Sequence, residues 1–159
     1  MASVKWLTHL TVTATPFEGY WQTLEYAYFQ RSHGQPDLVP ITEMQVKAEI
    51  ARPMLHEAVS AGAPYRVFGA AWTGESEVVR VEVSTDSGQT WHDANLLGHA
   101  TPFAWRRWDY LWSVLQKHGR HTLMARATDR QGNRRPSHHD PNRRNYMISF
   151  VQPIEVDVQ

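Results

Sequence analysis

No cysteine occurs in the chain. That absence removes disulfides, zinc-thiolate sites, iron–sulfur ligation and a thiol nucleophile from the chemistry this chain can supply by itself. An excess of charge is also missing: 16 Lys and Arg balance 16 Asp and Glu, so no global electrostatic case exists for nucleic acid or an anionic membrane surface. No apolar run approaches the length of a bilayer span, and "MASVKWLTHLTV" at the start lacks the basic and long apolar regions of a secretory signal. The expectation is a partner list without membrane or nucleic acid, and a compartment left open. Gly-rich phosphate loops, Gly-x-Ser-x-Gly elbows and His-Glu-x-x-His pairs are absent as well.

What is present is a large apolar and aromatic complement: 42% apolar residues and seven Trp in 159 residues. That suffices for one cored domain with an appended segment. Residues 3–29 are aromatic and strand-like in places, and "RSHGQPDLVP" (31–40) brings the Gly and Pro of a linker. Beyond it, short strands recur at 44–50, 65–72, 77–84, 90–97, 120–129 and 146–158, with turn signals between them. Pro153 belongs at an edge or bulge, and a helical turn or two fits 56–61. Residues 104–119 are ambiguous. Trp105, Trp108 and Trp112 have helical spacing, while Trp108, Tyr110, Trp112 and Val114 alternate; aromatic enrichment and flanking strand signals favour a strand. The pattern predicts an all-β, immunoglobulin-like β-sandwich over 41–159 with an N-terminal extension over 1–40.

Within 77–84, Val79, Val81 and Val83 share one face and Arg80, Glu82 and Ser84 the other. A hairpin turn follows, with Asp86 accepting from backbone amides, Gly88 free to take a positive φ and Trp91 folding back beneath. The pattern Ser84-x-Asp86-x-Gly88-x-Thr90-Trp91 resembles the Asp-box turn of sialidase-type propellers, but it occurs once, and a propeller needs several blades. An isolated hairpin is the better reading.

Two clusters carry potential chemistry. His118 and His121, with His138, His139 and Asp140, could in principle ligate a metal, but their spacing matches no known ligand framework and surface His is common in such turns. No metal ligands are assigned. Arg126, Arg130, Arg134, Arg135, Arg143 and Arg144 are interrupted only by Asp129 and Asp140 as acids, and guanidinium forks suit phosphate, sulfite or carboxylate. For most of them a solvated loop with local Asp partners is the simpler account. Trp72, Trp91, Trp105, Trp108 and Trp112 are expected in the core or in a subunit interface.

"GAAWTGESEVVRVEVSTDSGQTWHDANL" (69–96), "AWRRWDYLW" (104–112) and "GRHTLMARATDRQGNRRP" (119–136) together resemble the C-terminal dimerisation domain of sulfite oxidase-type molybdenum oxidoreductases. "SVKWLTHLTV" and "GYWQTLEYAYF" are similar to the last stretch of the molybdopterin-binding domain that precedes it. The resemblance implies that Lys5, with Trp6 and Leu7, lies near the molybdenum-molybdopterin cofactor. It places Trp21, Gln22, Glu25 and Tyr26 on the family's Trp-Gln-x-x-Asp-Tyr, with Tyr26 beside the metal centre and Glu25 in place of Asp. Asn142, Arg143, Arg144 and Asn145 fall on Asn-x-Arg-Gly, making Arg144 the residue that helps bind the oxyanion substrate. Asn145 replaces the Gly there and tolerates positive φ better than most residues. Asn133 to Pro136 stand where Asn-x-Gln-Pro is usual.

The resemblance further implies a homodimer. Because the family's metal-ligating cysteine is absent, it also implies that a molybdopterin-binding domain is supplied by a longer protein or a separate chain. No cofactor is expected in this chain alone, and it is not expected to catalyse alone. Two other readings stay open: a freestanding immunoglobulin-like module that binds carbohydrate or protein through its aromatics, and an anion-binding module built on the Arg cluster.

Overall fold

The computed structural model describes residues 4–114, 118–144, 146 and 148–159. The expected strand over 104–119 and the expected strand over 146–158 therefore lie partly outside the described residues, as does Asn145. The chain forms two compact units, Met1–Ile41 and Thr42–Gln159.

In the first unit a π-helical turn, Trp21–Glu25, leads into strands β1 (Ala27–Ser32) and β2 (Gln35–Pro40), which pair antiparallel from Ala27↔Pro40 to Ser32↔Gln35. Residues 31–40, whose Gly and Pro signals predict a linker, thus form the end of β1, the turn and β2 of a hairpin. The reason is local: His33 (φ 53°) and Gly34 (φ 83°) both adopt positive φ, the two-residue turn whose twist matches that of its strands.

The second unit is a sandwich. One sheet has the order β4 (Ala58–Val59), β11 (Ile154–Val158), β10 (Gly119–Asp129), β6 (Val78–Ser84), β7 (His92–Asp93). The other runs β3 (Lys47–Arg52), β5 (Pro64–Trp72), β9 (Arg106–Ser113), β8 (Asn95–Leu97). The pairs are antiparallel except β4 with β11. In chain order these are the A-B-E-D and C-F-G sheets of an immunoglobulin-like sandwich, with short additions at the edges. Between the sheets, Val67, Ala71, Trp108 and Trp112 of the second meet Val81, Val83, Leu123, Ala125 and Val156 of the first. Each fully buried Val or Leu contributes about 1.5–3 kcal/mol.

Several sequence expectations need correction. Val79 is 45% exposed, because the register slips between Thr128 and Asp129 and Asp129 pairs with Val78; Val78 takes the inward place instead. Residues 90–97 are two short strands in different sheets, β7 beside β6 and β8 beside β9, and the amide of Ala94 donates to Val81 O at the crossover. Residues 56–61 hold no helix; Ala58 and Val59 extend the first sheet by pairing with Asp157 and Val158. Over 146–158 the described strand is confined to Ile154–Val158, directly after Pro153, which lacks the amide a ladder needs. Trp105 is 64% exposed, so it is not core.

The turn after β6 closes as its residues suggest. The Ser84 hydroxyl donates to Asp86 (2.7 Å) and accepts from the Gly88 amide (2.8 Å). Asp86 also receives the Thr90 amide (2.9 Å), Gly88 sits at φ 85°, and the indole N–H of Trp91 donates to Gly88 O (3.0 Å).

Candidate functional site

The best-defined polar site lies on the segment between β10 and β11. Its foundation is Arg135, whose side chain is 1% exposed. The guanidinium donates to Ser149 O (2.9 Å), Phe150 O (2.8 Å), Ala125 O (3.3 Å) and a Glu49 carboxylate oxygen (2.9 Å). Burial pushes the Arg135 guanidinium down from its usual range, and Glu49 opposes that. Since Val151 N also donates to Pro136 O (2.9 Å), the two ends of the segment are tied together at the sandwich.

At its tip Asp140 caps a 3-10 turn, Pro141–Arg143, accepting from the Asn142 amide at 3.0 Å. That bond holds the Asp140 carboxyl below its ordinary range. Arg143 Nε stands 3.7 Å from the Asp140 carboxylate, and Arg144 N donates to Pro141 O. Arg144 follows with φ 56° and ψ −131°, a conformation that favours glycine and costs a side-chain-bearing residue about 1–3 kcal/mol. The positive φ here is that of Arg144; Asn145, to which sequence reasoning gave a tolerance of positive φ, lies outside the described residues. The Arg144 carbonyl is 3.1 Å from His139 Nε2, and its guanidinium lies 5.8 Å from the Tyr146 ring. A cleft of about 150 Å³ beside the turn is lined by Gln45, His138, His139, Asp140, Arg143 and Phe150, and Arg144 is not part of its lining.

Two other arginines of the cluster are committed elsewhere. Arg126 binds Glu82 through two nitrogens (2.8 and 2.9 Å), and Arg130 pairs with Glu77. Arg134 is exposed. The carboxylate partners of Arg126, Arg130 and Arg135 lie far back in the chain and are not the local Asp residues the sequence suggests. Sequence reasoning missed the Arg135–Glu49 clamp because its partners are 86 residues apart.

Among the described residues no group of three or more His, Asp or Glu is arranged to hold a metal ion. His121 packs on Trp112, with ring centroids 5.8 Å apart.

Lys5 and Tyr26 lie in the first unit and Arg144 in the second. Lys5, Trp6 and Leu7 are exposed. Tyr26 is half-exposed; its amide donates to Trp21 O (2.7 Å), its carbonyl accepts from Ile41 N (2.9 Å), and its ring tilts against Trp21 at 6.0 Å.

The family model described as the Mo-co oxidoreductase dimerisation domain matches residues 39–151. Mitochondrial sulfite oxidase of Mus musculus is 31% identical over 143 residues, covering 84% of this chain and 26% of that protein. Sulfite oxidase of Gallus gallus is 34% identical over 117 residues, 67% of this chain and 25% of that protein. The chain thus spans about a quarter of the length of these relatives. In fold it is similar to the sulfane dehydrogenase SoxCD from Paracoccus pantotrophus, with a TM-score of 0.67 and 22% identity over 89% of this chain and 39% of that one. A match running from β2 through the buried Arg135 to Val151 takes in most of the sandwich, and the chain belongs to the Mo-co oxidoreductase dimerisation domain family.

Proposed function

We propose that this chain is the dimerisation end of a sulfite oxidase-type molybdenum oxidoreductase. It holds two copies of the enzyme together and presents Arg144 to an oxyanion substrate at the molybdenum site. The observation that carries the reading is the family match over 39–151, which includes the turn bearing Arg144.

The chain's own residues fit the cofactor only as contributors, since it has no cysteine to supply a thiolate. When bound, molybdenum-molybdopterin supplies two-electron redox chemistry. Lys5 would hold an anionic group of that cofactor, and Tyr26 would place its hydroxyl at the edge of the site. Arg144 would bind the substrate anion by charge-assisted hydrogen bonds. Large exposed side chains in the first unit, Trp6, Leu10, Val12 and Phe17 among them, support the reading that a cofactor-binding domain covers this segment.

The test is made on the native protein. Its molybdenum content is measured and Arg144→Met is introduced. Stoichiometric molybdenum, with KM for the anion raised about tenfold or more in the variant, supports the reading. A native protein without molybdenum overturns the oxidoreductase assignment, and unchanged KM and kcat overturn the role of Arg144.

A further inference from the structure

The turn joining β5 to β6 and the segment joining β8 to β9 meet where β5 ends and β9 begins, Ala71 pairing with Arg106. Two polar atoms are stranded between them. Ser76 Oγ and Arg106 Nε are buried, and neither has a hydrogen-bond partner among the described residues. Both residues line one cavity of about 20 Å³, the size of a single oxygen-bearing group. Buried groups of this kind are nearly always paired, so the cavity suits an oxygen that completes them.

The cavity adjoins a wider cleft of about 330 Å³, with which it shares Ser76, Glu77, Thr101 and Phe103 and to which Glu75 adds a second carboxylate. Both walls are held in place. On one side the Thr73 hydroxyl donates to Asp129 at 3.3 Å, and on the other Ala104 N donates to Thr101 O at 3.2 Å. Phe103 is 67% exposed and has φ 58°, a conformation that bulky side chains rarely take. Strain of this sort collects at ligand clamps, and here it falls on the aromatic residue that lines the cleft.

The chemistry of the lining selects the ligand. Arg106 Nε–H can only donate, so the oxygen it meets must accept, while the Ser76 hydroxyl can do either. A carboxylate or phosphate would enter beside Glu75 and Glu77, and the Arg106 guanidinium already faces Glu77 at 3.8 Å. A hydroxyl group brings no charge, accepts from Arg106 and can donate to Ser76 or Glu77. We propose that this cleft binds a pyranose sugar, with one hydroxyl seated between Ser76 Oγ and Arg106 Nε and an apolar ring face on Phe103. The site goes beyond the oxidoreductase reading above and uses neither Arg144, Tyr26 nor Lys5.

The test titrates the isotope-labelled full chain with methyl β-D-glucopyranoside, whose equatorial substituents leave both ring faces apolar, and follows the Arg106 Nε–H resonance by NMR. The expected result is a saturable shift of that resonance with a Kd of about 10 mM or less, and no shift with acetate at the same concentrations. Binding should weaken at least fivefold in Ser76→Ala and in Phe103→Ala, and less than twofold in Ser113→Ala, an exposed serine at the far end of β9. If Phe103→Ala does not fold, Ser76→Ala set against Ser113→Ala carries the comparison. No saturable shift with the glucoside means that the cavity takes water only and overturns the proposal. Acetate binding in its place overturns the ligand class, and equal weakening in Ser76→Ala and Ser113→Ala overturns the site.

Discussion

Arg126 and Glu82 form a two-pronged ion pair across β10 and β6, at 2.8 and 2.9 Å, and the same guanidinium lies 4.0 Å from the centroid of the Trp91 ring. One arginine thus joins the central strands of a sheet to the Asp86 turn. Glu82 is held below its usual pKa, first by the Arg126 hydrogen bond. Its side chain is only 5% exposed, so removing the arginine leaves a nearly buried carboxylate facing only Arg80. Arg126→Ala is expected to cost about 3 kcal/mol, and the pair Arg126→Met with Glu82→Leu considerably less, because the second change removes the stranded charge. Urea unfolding of Arg126→Met, Glu82→Leu and the double variant measures the coupling.

Acid and alkali should act on different groups. Glu57 is held at about 2, first by the Met54 amide, then by the Tyr65 hydroxyl and Arg52, and Asp86 is held at about 2, first by the Thr90 hydroxyl and amide. Both folded values lie below those of free carboxyls. Their contribution is therefore complete above the ordinary carboxylate range and is lost as pH falls from about 4 toward 2. Tyr65 is pushed to about 12 by burial and by Glu57; its contribution is complete below about 10 and is lost as pH rises beyond that. Calorimetric Tm should fall on both sides, outside these limits. Glu57→Gln should flatten the acid limb, and Tyr65→Phe the alkaline one.

Gly69 is required by space alone. A Cβ built there would stand 1.9 Å from Glu49 O on β3 and 2.7 Å from Cζ2 of the buried Trp108. Neither can yield cheaply, since one is sheet backbone and the other a ring with no exposure. Gly69→Ala is expected to lower stability by about 2–4 kcal/mol. A denaturant midpoint within error of the parent would show that β3, β5 and β9 are not packed this closely at Gly69.

Local features of this fold were legible and long-range ones were not. The alternation through Trp108, Tyr110 and Trp112 is enough to place β9, and Ser84, Asp86 and Gly88 to place the turn, because each depends on neighbours a few residues away. The outward position of Val79 depends on a slip beside Thr128 on another strand, and the split of residues 90–97 on which sheet each half finds. At the candidate site, Arg144 came from a matched motif. The burial of Arg135 depends on bonds to Ser149, Phe150 and Glu49 that no local pattern encodes.

Arg135 ties Ala125, Ser149, Phe150 and Glu49 together, so it should govern how firmly the Arg144 turn is held. Arg135→Leu keeps some of the buried volume but leaves three buried carbonyls and the Glu49 carboxylate without their donor, a change expected to cost about 3 kcal/mol. The loss should be local before it is global, because the core between the sheets does not include the turn. Limited trypsin digestion under native conditions reads this directly. Cleavage after Arg143 or Arg144 should rise at least tenfold in Arg135→Leu, while the β9 and β10 peptides stay protected. Arg135→Gln should recover part of the protection by keeping one or two of the donors. Equal cleavage in all three proteins would mean that the turn is held by its own Asp140 cap, and that the clamp serves only the sandwich beneath it.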